Sequence, residues 1–436
     1  MKKQWYIMGM AVVMMAACSS EDNQAEGYVQ PVVTEERPHT TFDDNLTRED
    51  LMGNIPIELG SYIEASTEVE EQTRGSITDA DFATTTMGVF CISAGKILDG
   101  LSNDDILRSW SGNVGNYLNM LNLWQDNVKA HVENLSYNNG KVRWDDRNAR
   151  HYYPSVNYFK YHFVAYYPYT TAIQRAKDGI WAWVTIDGDD DVLYSIADAP
   201  EIQVNDETDA LAYSNEYFNR IKQNSEIADG YKPYFKFSHV TAKLKFTVRL
   251  KSASTVGQLH VDSISFKDFI NTMKLGIAKY ESGVKSNINT WPVVTNYNSV
   301  PDSLQDRIPA VRGHFWLREQ DGTSISGKKE GNGYKYAINT TDKKPIGDCI
   351  MIPPLPGSVS SANINLEVFL RDEYGNQYTT VSPIRVNVPA AGWEMAKEYT
   401  INVSITPPSN LIDDTRGASI GEWGVDVINN TIEVSD

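Results

Sequence analysis

The densest chemistry in the sequence is acidic. Asp187-Gly188-Asp189-Asp190-Asp191 offers carboxylates at alternate positions, as a loop does when it wraps oxygen ligands around calcium, and Asp198 stands at the twelfth place. The sixth place holds Val192 where such a loop needs Gly, and the last ligand should be a bidentate Glu, so the run reads as a solvated hairpin tip. Cys91 and Cys349 each sit in an apolar run, Val89-Phe90-Cys91-Ile92 and Cys349-Ile350-Met351-Ile352, with no His pair nearby to complete a metal site. They read as buried free thiols, with a disulfide between them as the alternative. The seven His are scattered without an HExxH pair, and His239 falls on the polar side of an alternating strand, as an inter-strand partner rather than a general base. Neither a GxSxG turn nor a phosphate-cradling glycine loop occurs. No catalytic residue, metal ligand or cofactor motif stands out, and the chain reads as a non-enzyme.

Two other reactive positions lie near the N-terminus. Lys2 and Lys3 precede an apolar run from Trp5 to Ala17, closed by Met15-Ala16-Ala17-Cys18. That run is shorter than the ~20 residues a membrane helix needs, so residues 1–17 read as a signal peptide. Small residues before a Cys resemble a lipobox, which makes Cys18 the candidate lipidation site, although Met15 stands where Leu is usual. Arg74 is the second. It follows residues 19–73, which hold fourteen Asp and Glu against Arg37 and Arg48, a net −12 within a chain total of −18. An acidic excess of that size argues against a nucleic-acid partner.

The elements that position these residues are strands. Residues 19–54 lack sustained periodicity and read as a tether, while Ile55, Ile57, Leu59 and Ile63 put apolar side chains on one face at period two. Val240 to Leu250, Ile364 to Leu370, Ile384 to Val388 and Tyr399 to Ile405 alternate in the same way, with one apolar and one wet face, as antiparallel strands do. Aromatics are abundant, with Tyr (24) and Trp (10) leading, which favours strands. Short helical signals occur at Asp104–Leu107 and Asn116–Leu123, and residues 187–233 and 280–345 read as long polar loops. The aromatic cluster from Tyr152 to Tyr169 reads as a core strand, because Phe159, Tyr161 and Phe163 share a face; exposed, it would make a platform for sugar rings. The fold class is all-β, most simply two stacked antiparallel sandwiches with a boundary near Tyr231-Lys232-Pro233.

Several segments, in order, resemble the fimbrillin family of type V pilus subunits. They are Cys18, Thr73-Arg74, Phe163-Val164-Ala165-Tyr166-Tyr167-Pro168, Phe237 through Leu244, Gly392-Trp393, Lys397 through Ile401, and Ile420-Gly421-Glu422-Trp423. The resemblance implies two tandem transthyretin-like β-sandwich domains, at 75–232 and 233–436, behind a lipidated acidic propeptide at 18–74. It implies a fatty-acylated precursor at the outer membrane, cleavage at Arg74 by an Arg-specific protease, and loss of the strand 55–63. It further implies partnership with other pilin subunits in an extracellular fimbrium that supports adhesion to a surface ligand, and no cofactor. The donor strand would lie near 420–436, where Trp423, Val425 and Val427 alternate, as do Ile432 and Val434, on either side of an Asn429-Asn430 turn. Asp262-Ser263-Ile264 and Asp302-Ser303-Leu304 resemble a short O-glycosylation signal and otherwise read as loops. The competing expectation is an uncleaved surface lipoprotein that binds glycans.

Overall fold

The structure, a computed structural model, describes residues 47–63, 85–93, 123–133, 140–146, 149, 151–155, 161–176, 179–197, 202–204, 207–209, 232–279, 292–293, 312–357, 364–379, 384–386, 388–407 and 433–435. All of them belong to one compact unit, Thr41–Asp436. A single short helix, α1 (Arg48–Leu51), precedes the strands among these residues. The first are β1 (Met52–Pro56), β2 (Leu59–Ile63), β3 (Thr86–Ser93), β4 (Leu123–Glu133), β5 (Gly140–Trp144), β6 (Tyr152–Pro154) and β7 (Tyr161–Tyr167). Next come β8 (Ile173–Ala176), β9 (Gly179–Thr185), β10 (Leu193–Ala197), β11 (Ile202–Val204), β12 (Glu207–Asp209) and β13 (Tyr234–His239). They are followed by β14 (Ala242–Leu250), β15 (Leu259–Ile270), β16 (Thr272–Lys279), β17 (Pro292–Val293), β18 (Arg312–Trp316), β19 (Lys329–Glu330) and β20 (Gly333–Tyr334). The last are β21 (Lys344–Ile352), β22 (Asn365–Asp372), β23 (Gln377–Thr379), β24 (Ile384–Arg385), β25 (Glu398–Ile405) and β26 (Glu433–Ser435).

The chain is all-β, as its alternation requires. Seven strands close a barrel in the order β10-β13-β2-β5-β4-β3-β7. Alternate residues of its wall face opposite ways. Phe90, Ile92, Val164 and Tyr166 point outward into a core shared with β9, β16 and the C-terminal sheets. Val89, Cys91, Phe163 and Ala165, also fully buried, fall on the opposite face of the same strands. C-terminal to the barrel stand the sheets β21-β14-β25-β26 and β18-β15-β22-β23, the latter with β24 also on β22. Between them Phe246 and Phe266 approach to 5.9 Å, and Trp393 lies 6.5 Å from both Phe266 and Phe269. Gly392, at φ +96°, lets the chain pass against Leu355 O, where a Cβ would collide.

Several expectations change. The strands are mostly antiparallel, but β2 runs parallel to β13 and β14 runs parallel to β25. Hydrophobic alternation marks the buried face and leaves strand direction open. Three pairings cross the expected boundary at 232/233: β13 completes the barrel between β10 and β2, and β9 pairs with β16. Residues 47–54 of the expected tether are ordered, because a capping box between Thr47 and Asp50 starts α1 and Leu51 is buried. Inside the supposed polar loop 280–345, Phe315, Leu317, Ile325, Tyr336 and Ile338 are buried. There Val261 N donates to Tyr336 O and Ile338 N to Leu259 O, so residues 336–338 extend along β15 where β18 leaves off. Asp262-Ser263-Ile264 lies within β15 rather than in a loop, and Asp302-Ser303-Leu304 lies outside the described residues, as do both expected helical segments up to Asn122.

Cys91 in the barrel wall and Cys349 in β21 are separate, buried free thiols. Burial pushes the Cys91 thiol well above its usual range and the Cys349 thiol up to about 12. Both are expected to resist iodoacetamide at pH 8 in the native protein and to react fully in denaturant, read as a mass shift of two adducts.

Candidate functional site

The segment from Thr47 to Ile63 is bound to the body of the protein at every step. Thr47 N donates to Asp50 Oδ2 at 2.7 Å, and Thr47's hydrogen bonds hold the exposed Asp50 carboxyl below the usual range. The Arg48 guanidinium donates to Trp124 O and lies 4.5 Å over the Trp124 ring, so that burial lowers its pKa. Leu51 O accepts from both Ser155 N (2.8 Å) and Ser155 Oγ (3.0 Å). β1 then pairs antiparallel with β6, Met52 opposite Pro154 and Pro56 opposite Tyr152.

The expected single strand 55–63 is two strands. Pro56 has no N–H to continue a ladder, and the chain leaves β1 there. Ile57 still donates through its N–H to His151 O at 2.8 Å, and Trp144 Nε1 donates to Ile57 O at 3.4 Å. Ile55, Ile57 and Leu59 are 5%, 4% and 4% exposed, so the expected apolar face survives the break. Ile63 belongs to β2 through its backbone.

β2 occupies the middle of a barrel wall. On one side it runs parallel to β13, with Gly60 opposite Tyr234, Ser61 opposite Phe235 and Ile63 opposite Phe237. On the other it runs antiparallel to β5, with Leu59 opposite Val142 and Ser61 opposite Gly140. Cross-strand partners share a face, so Leu59 and Ser61 point the same way as Val142 and Phe235, all of them buried. The Glu58–Lys232 pair at 2.5 Å is exposed on both sides and adds little. Burial of Leu51, Ile55, Ile57 and Leu59 contributes roughly 6–12 kcal/mol before ordering costs.

At the other end of the chain, the described residues of β26 pair with β25, Val434 opposite Tyr399. β25 is fully paired with β14 on its other side, from Glu398 to Ile405. β26 is thus the outermost strand of its sheet. Cys18, Arg74, Trp423, Val425, Val427 and Ile432 lie outside the described residues.

The acidic run is solvated at Asp187 and Asp190, as expected of it, but not at Asp191. Asp191 is 1% exposed and accepts from Val192 N (2.8 Å) and Thr241 Oγ1 (2.6 Å), while His239 Nδ1 lies 2.5 Å from its other oxygen. This carboxylate pins the entry to β10 against the β13–β14 turn, and His239 is the inter-strand partner that its position suggested. Spacing alone gave no sign of that burial, because the partners are 48 and 50 residues away. The described residues contain no group of three or more His, Cys, Asp or Glu able to hold a metal ion. Tyr161, Phe163 and Tyr166 are fully buried on β7 in the barrel wall, and Tyr153, fully buried on β6 beside the barrel, meets Phe163 edge-on at 6.1 Å.

No family model and no curated protein matches the sequence. Solved structures that align with it are cell-adhesion and fimbrial proteins of Bacteroidetes. A candidate cell adhesion protein from Bacteroides uniformis aligns at 12% identity and TM-score 0.36, covering 88% of this chain and 96% of its own. A fimbrial protein from Bacteroides vulgatus aligns at 14% identity and TM-score 0.33, covering 81% and 95%. The fimbrial anchor protein Mfa2 from Porphyromonas gingivalis aligns at 10% identity and TM-score 0.26, covering 84% and 99%. At these scores the functional reading has to be carried by the chain's own residues.

Leu59 is the inward residue that starts β2. Leu59→Ala is expected to lower the unfolding free energy by about 2–5 kcal/mol, read from the urea midpoint at unchanged slope.

Proposed function

We propose that this chain is a structural subunit of a type V fimbria whose leader strand β2 is a temporary occupant. Cleavage at Arg74 lets that strand leave, and the C-terminal segment of another copy takes its place. The observation that carries this reading is the position of β2 between β13 and β5 in a closed barrel, on a segment joined to the rest through residues 64–84. A cut at Arg74 falls after β2 and before β3, so it turns a covalently held wall strand into a bound peptide. A cut at Arg37 or Arg48 would leave β2 attached, and the Arg48 guanidinium is moreover packed on Trp124.

Loss of β2 exposes one edge on β13 and one on β5, together with the apolar floor around Val142 and Phe235. Unpaired backbone edges over an apolar groove are a strong template for strand addition. Four or five inserted apolar side chains gain roughly 6–15 kcal/mol before ordering costs, and each ladder hydrogen bond adds about 1 kcal/mol. β26 suits a donor because, among the described residues, it lies at the edge of its sheet with β25 on one side. In this reading Cys18 carries the lipid that retains the precursor at the outer membrane, and the partners are an Arg-specific protease and further copies in an adhesive extracellular fibre. The glycan-binding alternative draws less support, because Tyr153, Tyr161, Phe163 and Tyr166 of the aromatic cluster that would form its platform are fully buried.

Treatment of the purified precursor with an Arg-specific protease is expected to yield ladders that survive sodium dodecyl sulfate. Arg74→Ala should keep the leader attached and abolish them. Fibre formation by Arg74→Ala at the wild-type level would remove the proposed cleavage site. Deletion of Gly421–Asp436 should leave a folded, processed subunit that accepts a strand but donates none. Undiminished ladders from the deletion alone would overturn the C-terminal donor.

A further inference from the structure

One feature of β2 marks it as a poor permanent fit for its slot, and a second fixes what the slot accepts. The Ser61 side chain is completely buried, between Phe235 and Gly140 in register, and its hydroxyl has no hydrogen-bond partner. A buried hydroxyl without a partner loses its hydration and gains nothing in return. One residue earlier, Gly60 lies beneath the Tyr234 ring, which occupies the space a Cβ would need. The slot therefore demands a residue without a side chain at the Gly60 place, followed by one that faces inward at the Ser61 place, where an apolar group would sit better than a hydroxyl.

The C-terminal sequence offers one matching triplet with apolar residues on both sides of a glycine, Trp423-Gly424-Val425. Resting on the strand-exchange reading above, we infer that a second copy's strand enters the slot with its Gly424 beneath Tyr234 and its Val425 in the place of Ser61. The alternating residues Trp423 and Val427 then take the places of Leu59 and Ile63. This register sets the direction: the incoming strand runs the same way as β2, parallel to β13. The opposite direction would force Trp423 into the middle position that now holds a serine, an overpacking that interiors resist. At the first position of β2 the larger ring replaces Leu59 at the end of the strand. Exchange is downhill because an unpaired hydroxyl is replaced by a buried apolar side chain. Gly424 and Tyr234 together determine which strand and which register are accepted.

The test mixes protease-processed subunits and follows detergent-resistant ladders. A Gly424→Val donor should yield at least tenfold less product with wild-type acceptor, and a Tyr234→Ala acceptor should restore it. Ser61→Ala decides the same point without altering the donor: by removing the unpaired hydroxyl it should slow release of the cleaved leader roughly tenfold. Ladders from wild type and Gly424→Val in equal yield, or leader release from Ser61→Ala as fast as from wild type, would overturn this register while leaving strand exchange standing. No ladders from the processed wild type would overturn strand exchange and this inference with it.

Discussion

The barrel closes only because β2 supplies hydrogen-bond partners to two neighbours at once. β13 and β5 are not paired with each other; each turns one edge toward β2. Every backbone N–H and C=O on those edges would otherwise face solvent or another chain, over a floor of buried apolar side chains. A closed barrel has no edge, and one missing strand gives it two. The rest of the architecture can be understood from that constraint, since the strand that completes the wall lies N-terminal to every other strand of the barrel.

The two faces of the barrel wall have different duties. Phe90, Ile92, Val164 and Tyr166 on the outward face belong to the large core that continues through β9 and β16 into the C-terminal sheets. Leu59 and Ser61 belong to the inward set, outside that core, with Val142, Phe235 and Phe237. Loss of β2 therefore removes contacts from the barrel interior and leaves the shared core intact. Asp191, held by Val192, Thr241 and His239, anchors the β10 entry to the β13–β14 turn beside the slot. A frame of this kind can stay folded while one wall strand changes identity.

Much of this was legible in the sequence. The period-two faces of β14, β22 and β25, and the buried set Ile55, Ile57 and Leu59, follow from alternation, because burial of one face leaves that pattern directly. The break at Pro56 was legible in principle, since proline cannot donate to a ladder, and so was the Thr47–Asp50 capping box that starts α1. What alternation does not encode is strand direction, so the parallel β2–β13 and β14–β25 pairs emerge only in three dimensions. The burial of Asp191 and the packing of residues 312–338 against β15 depend on partners far away in sequence. Alternation puts Ser61 on the same face as Leu59 and Ile63, but that its buried hydroxyl finds no partner there emerges only in three dimensions.

The central claim is that the strand closing the barrel in the precursor is absent from the mature subunit. Its most direct test is to determine the N-terminus and intact mass of the protein recovered from assembled fibres on the cell surface. The account predicts a chain that begins at Gly75 and lacks residues 55–63, with its mass otherwise accounted for through Asp436. A recovered chain that still carries Ile55–Ile63 and the lipid on Cys18 would contradict it.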